Sequence, residues 1–144
     1  MSAQHSIHFF KEGVSFRLSK TEETRKWIKS VFRKYDKGIG DLNYIFCSDR
    51  YLRKMNKEYL QHDYNTDIIT FDNSILTDEV KGDIFISVDR VKANAKKFGT
   101  AFKDELHRVM IHGALHLCGF NDKNAGQREK MRKAEDLWLS KRKF

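Results

Sequence analysis

Two histidines four positions apart, His112 and His116, are the residues of this chain best spaced to hold a metal ion. On a helix that spacing stacks both imidazoles on one face, one turn apart, so both can reach a single ion. The pair alone says little. With 6 histidines in 144 residues, chance supplies roughly a quarter of such a pair. The residues C-terminal to the pair strengthen it: the string runs His112-Gly113-Ala114-Leu115-His116-Leu117-Cys118-Gly119-Phe120-Asn121-Asp122. A glycine at 119 can take positive φ, stop the helix and turn the chain back past its own end. The carboxylate of Asp122 then completes a three-ligand face. Two neutral imidazoles and one carboxylate suit one zinc ion and leave a fourth position open, as in sites that catalyse hydrolysis.

The ligand pattern is that of the long zincin motif, with aspartate in place of the third histidine. One position departs from it. Zincin peptidases carry glutamate directly after the first histidine as general base, and here that residue is Gly113, which cannot take a proton. Peptide hydrolysis is therefore disfavoured, and any base must come from elsewhere in the chain or from the substrate.

These residues need a helix and a turn to hold them, and the surrounding pattern supplies both. A helix is expected from about Phe102 to Cys118, closed by Gly119. Another runs from about Asn124 to Ser140, with Met131, Ala134, Leu137 and Trp138 as its buried residues. Upstream, Ile7 to Leu18 reads as one or two short strands. Ser19, followed by Glu22 and Glu23, is a candidate cap for a helix to about Tyr35. Trp27, Ile28, Val31 and Phe32 form that helix's buried stripe, and Gly38 and Gly40 end it. Asp41 to Cys47 has strand composition. Ser48 or Asp49 caps a second helix to about Leu60, in which Leu52, Met55 and Tyr59 share a face. Thr66 to Phe71 and Ile84 to Val88 are β-branched runs, with Asp72 to Gly82 as a polar connection. Ser87 or Asp89 caps a third helix to about Lys97, which Gly99 stops. The expected fold is α+β, with α/β-like alternation. It is a single domain over residues 1–144, a small, mostly parallel sheet of about four strands packed with about five helices.

Composition agrees with one ordinary core: 40% of the residues are hydrophobic and 12% aromatic. The net charge of +8 favours an anionic partner such as nucleic acid, although general solubility would explain it equally. No apolar run is long enough to span a bilayer, and Met1 to Phe10 lacks a signal-peptide stretch, so a cytoplasmic protein without a membrane partner is expected. Cys47 and Cys118 read as reduced core residues, the latter turned away from the ion. His107, five residues before His112, lies round the helix from the ligand face and reads as a surface or structural histidine. His62 and Asp63 read as plain loop, and His5 and His8 point to nothing specific. Thr66 and Asp67 could cap, bridge strands or line a cleft beside the metal. From Lys123 onward, eight Lys/Arg against three Asp/Glu either steer an anionic partner such as nucleic acid toward the metal or form a solvated helix face.

The motif resembles that of the YbeY family, metal-dependent endoribonucleases of ribosomal RNA maturation, whose signature is similar to His-Gly-x-Leu-His-Leu-x-Gly-Tyr-Asp-His. His112, Gly113, Leu115, His116, Leu117 and Gly119 match it. Phe120 stands for the tyrosine, Asn121 for the aspartate and Asp122 for the third histidine. Asn56 to Phe71, especially Tyr59 and Thr66 to Phe71, and Gly82 to Ser87 look like the family's second and third blocks. The resemblance thus covers the chain from about Leu42 onward. It implies cleavage of single-stranded RNA in ribosome maturation, one zinc ion held by His112, His116 and Asp122, and RNA or ribosome-associated factors as partners. It also raises the cleft reading of Thr66 and Asp67 as catalytic candidates. A functionally important arginine follows the second-block tyrosine in the family, whereas Leu60 stands here; Arg53 and Lys57 are candidates to grip phosphate instead. Two other readings stay open: a zincin-like peptidase or other small-substrate metallohydrolase, and a non-catalytic ribosome-associated RNA-binding factor with a structural metal.

Overall fold

Alternation along the strands decides which helix covers which side of the sheet. The computed structural model describes residues 6–74 and 78–144. In chain order these hold β1 (Ile7–Glu12), α1 (Thr21–Lys34), β2 (Gly38–Cys47), α2 (Asp49–Leu60), β3 (Ile68–Asp72), β4 (Glu79–Ser87), α3 (Val88–Phe98), α4 (Phe102–Leu117) and α5 (Ala125–Ser140). The strands form one sheet in the order β1-β2-β4-β3. The β1–β2 and β2–β4 pairs are parallel, and β3 runs antiparallel to β4. This is the expected α+β class, with a mostly parallel sheet of four strands.

Tyr44, Phe46, Ile84 and Ile86 face one side, where they join Trp27 and Ile28 of α1, Met110 and Leu115 of α4, and Trp138 of α5 in the main core. The alternate residues Cys47 and Phe85 face the other side and meet Leu52 of α2 in a smaller cluster. Two buried polar groups fix the helices in place. The Tyr44 hydroxyl donates to the Met110 carbonyl at 2.9 Å, tying β2 to α4. The Trp27 indole N–H donates to the Trp138 carbonyl at 2.9 Å, tying α1 to α5. Burial raises the Tyr44 phenol far above its ordinary pKa, which suits a hydroxyl that only donates.

Ser48 and Ser87 cap α2 and α3 by accepting from the Tyr51 and Arg90 amides, and Gly99 stops α3 in a left-handed conformation. Several boundaries depart from expectation. Lys20, not Ser19, occupies the α1 N-cap, in a left-handed conformation with no side-chain cap. The same helix ends at Lys34 through Asp36, which has positive φ, so Gly38 and Gly40 begin β2 instead of closing α1. The segment Ile7 to Leu18 supplies one strand, and β4 starts at Glu79, because Glu79 and Lys81 alternate outward while Val80 and Gly82 turn in. Thr66 and Asp67 sit just before β3. Tyr59 is 65% exposed and Leu137 45%; α5 buries positions 131, 134, 135 and 138, and Leu137 lies about 100° round the helix from Trp138. His5 lies outside the described residues. Among the described residues, no helix is long and apolar enough to cross a membrane.

Candidate metal centre

The metal helix α4 lies close on the sheet because Gly113 has no side chain. A Cβ built there would stand 2.9 Å from Cδ1 of Ile84 and 3.0 Å from Cδ1 of Ile68. Gly113 is thus a packing requirement as well as a missing base: a glutamate at this position would be driven into β3 and β4. At its other end α4 closes with the double hydrogen bond of a Schellman turn. The Gly119 amide donates to the His116 carbonyl and the Phe120 amide to the Leu115 carbonyl, each at 3.0 Å. Gly119 takes φ 104°. Phe120 then packs edge-on against Tyr35, and the chain turns back to bring Asp122 under the helix.

The result gathers the three expected ligands. Oδ2 of Asp122 lies 3.3 Å from Nε2 of His112 and 3.4 Å from Nε2 of His116, and one ligand atom from each residue falls within 4.8 Å of the others. Donors about 2.05 Å from a tetrahedral zinc ion stand about 3.3 Å apart. The two distances match that edge and are longer than a good hydrogen bond, so the donor set fits a small tetrahedral ion held between them. The ligands are partly exposed, at 23%, 28% and 38% of their side-chain surface. They line a cleft of about 740 Å³.

A network absent from the sequence expectations supports His112. Its Nδ1 lies 2.7 Å from Oε2 of Glu135, a buried carboxylate on α5. The other Glu135 oxygen accepts from Arg108 at 2.9 Å, and Arg108 also donates to Asp136 at 2.6 Å. Burial alone would pull His112 down. The hydrogen bond and charge of Glu135, with Asp122 and Asp67 adding, outweigh it and hold the imidazole above its ordinary value. With Nδ1–H donated to a carboxylate, Nε2 is left as the free lone pair facing Asp122. Both partners had a signal in the sequence: Arg108 stands four before His112, and Glu135 interrupts the apolar stripe of Met131, Ala134 and Trp138.

Thr66 and Asp67 line the same cleft as His112, His116 and Asp122. Burial raises the Asp67 carboxyl above its ordinary value, against the lowering pull of His112 and of backbone amides. Glu105, also in the cleft, is raised by burial too. Arg53 and Lys57 are not brought to it: Arg53 pairs with Asp63 at 3.1 Å on the exposed side of α2, and neither residue lines the cleft. The cations that do are Arg108, Arg128 and Arg132. His107 is buried and structural. Arg142 donates to its Nδ1 at 2.8 Å, and burial, with Arg142 and Lys103, lowers it to about 4. Cys118 packs against the core, and its thiol is pushed up to about 12 by burial.

Fold and site together define a class: an α+β domain in which a helix and the glycine turn that closes it gather two histidines and one carboxylate that could hold a metal ion in an open cleft. A family model described as Endoribonuclease YbeY matches residues 10–143, and the chain belongs to that family. An Endoribonuclease YbeY of Cytophaga hutchinsonii is 52% identical over 141 residues, covering 98% of this chain and 99% of that protein. One from Bacteroides thetaiotaomicron is 51% identical over 137 residues, covering 95% and 99%. A solution structure of a Thermotoga maritima protein aligns with TM-score 0.60 at 26% identity, over 93% of this chain and 87% of that one.

Proposed function

We propose that the chain is a zinc-dependent endoribonuclease that cleaves single-stranded RNA during ribosomal RNA maturation in the cytoplasm. The observation that carries the chemistry is the three-donor set, with Asp122 at tetrahedral-edge distance from each histidine, set in an open cleft; the RNA substrate is inferred from membership of the family. An ion in this site would act as a Lewis acid on a phosphoryl oxygen and lower the pKa of water. His112, His116 and Asp122 would hold it, and Glu135 would fix the His112 tautomer through the 2.7 Å contact with Nδ1. Asp67 is the candidate for holding the proton that leaves the attacking hydroxyl, because it lines the cleft beside the histidines and burial raises its carboxyl, the direction a general base needs. Neither other reading is favoured. Gly113 has no room for the glutamate a zincin peptidase uses, and structural zinc sites are closed, whereas these ligands line an open cleft. The test is metal-dependent cleavage of a single-stranded ribosomal RNA fragment. Cleavage should stop on chelation and return with zinc; cleavage insensitive to chelation would remove the proposal.

A further inference from the structure

The cleft poses an electrostatic problem that the metal site alone does not solve. Asp67, Asp72, Glu105, Asp122 and Glu135 all line it, and a phosphodiester strand must approach these carboxylates. Arg108 offers no free charge, since two of its nitrogens are committed to Glu135 and Asp136. Arg128 and Arg132 differ. They stand one turn apart on α5, both are exposed, and both line the same cleft. Neither side chain forms an ion pair or hydrogen bond among the described residues, and Arg132 is felt by Glu105 only as a through-space charge. Since α5 packs against α4 and also carries Glu135, this pair of guanidinium groups is fixed to the element that braces His112.

We propose that Arg128 and Arg132 are the substrate-binding pair of this cleft, gripping the RNA backbone at two phosphates beside the metal centre. Planar guanidinium groups at helical spacing match phosphate oxygens with paired N–H donors. The inference rests on the endoribonuclease reading above and deepens it by placing the phosphate contacts on α5 instead of α2, where Arg53 and Lys57 lie.

The test is binding of a labelled single-stranded RNA oligonucleotide, 2′-O-methylated so that it is not consumed, to the full chain across a salt series. Both side chains are exposed, so the double variant Arg128→Gln/Arg132→Gln leaves the core untouched. Each phosphate neutralised on a single strand contributes about 0.7 to the slope of log affinity against log salt. The double variant should therefore bind with a slope shallower by about 1.4, and roughly 25-fold more weakly near 0.1 M salt. Arg128→Lys/Arg132→Lys should restore the slope, because lysine keeps the charge. In contrast, Arg53→Gln/Lys57→Gln should leave the slope as it is in the unmodified chain. A glutamine pair that binds with unchanged slope and affinity overturns this inference and leaves the endoribonuclease reading standing. An unmodified chain that fails to bind the oligonucleotide at low salt overturns both.

Discussion

Replacing Glu135 by glutamine should weaken zinc binding without touching a ligand. In the native chain one carboxylate serves two donors, His112 Nδ1 at 2.7 Å and Arg108 at 2.9 Å. A glutamine of the same shape has one acceptor oxygen and one donor nitrogen. With its oxygen toward Arg108, its NH₂ faces His112 Nδ1 and favours the tautomer protonated at Nε2, which cannot ligate on the Asp122 side. Turning the oxygen toward His112 instead sets two donors against each other at Arg108. Outer partners of this kind are worth about 10- to 100-fold in metal affinity, or about 1.4 to 2.7 kcal/mol. The assay is competition with a chromophoric zinc chelator at neutral pH, with urea unfolding run on the same samples. A loss of zinc affinity confined to twofold would refute the tautomer reasoning. A second variant separates positioning from general support: Arg108→Met added to Glu135→Gln frees the amide to turn its oxygen to His112. The double variant should recover part of the lost affinity, whereas a merely structural role would lose more.

The ligands, the packing of α4 and the buried histidine are each open to a direct test. Removing Asp122 as Asp122→Ala should lower zinc affinity by at least about 100-fold, beyond the range of an outer partner; chelator competition reads it, and a loss below tenfold would take Asp122 out of the ligand set. His116→Ala should abolish RNA cleavage in a chain whose circular dichroism is unchanged, and retained cleavage would favour a structural metal. Gly113→Ala should destabilise the protein by about 1 kcal/mol, because overpacking of about 1–3 kcal/mol exceeds a helix-propensity gain of up to about 1 kcal/mol; a rise in stability on urea unfolding would contradict the close approach to Ile84 and Ile68. His107 is lowered to about 4 from about 6.5 unfolded, so the unfolded chain binds its proton first as pH falls. Its contribution is fully present above about pH 6.5 and is lost toward pH 4, amounting to roughly 3 kcal/mol. His107→Gln should flatten the stability profile over that window, and an unchanged slope would show that the proton is not excluded.

Much of the architecture is legible in the sequence because its signals are local. The serine caps of α2 and α3, the β-branched runs and the glycines after α3 and α4 each act within a few residues. His112, His116 and Asp122 are legible for the same reason: one helix and one turn place all three. The misplaced features depend on the rest of the chain. Leu137 is apolar but falls off the α5 stripe, whose position is taken by Glu135 because His112 and Arg108 are there to receive it. Tyr59 is left exposed beside Phe71. Arg53 and Lys57 stand at or near the start of the second block in sequence, yet α2 joins the small cluster on the sheet face opposite the main core that holds α4. Cleft membership is a property of layers: the arginines that line the site come from α4 (Arg108) and from α5 packed against it (Arg128 and Arg132).

The most direct test of the central claim is the metal content of the full chain purified without added ions, measured by elemental analysis beside its RNA cleavage. Zinc is expected at about one ion per chain, lost together with cleavage in His116→Ala and restored to the chelator-stripped native chain by zinc alone. A metal-free preparation with no measurable zinc affinity that still cleaves single-stranded RNA would contradict the zinc-dependent mechanism.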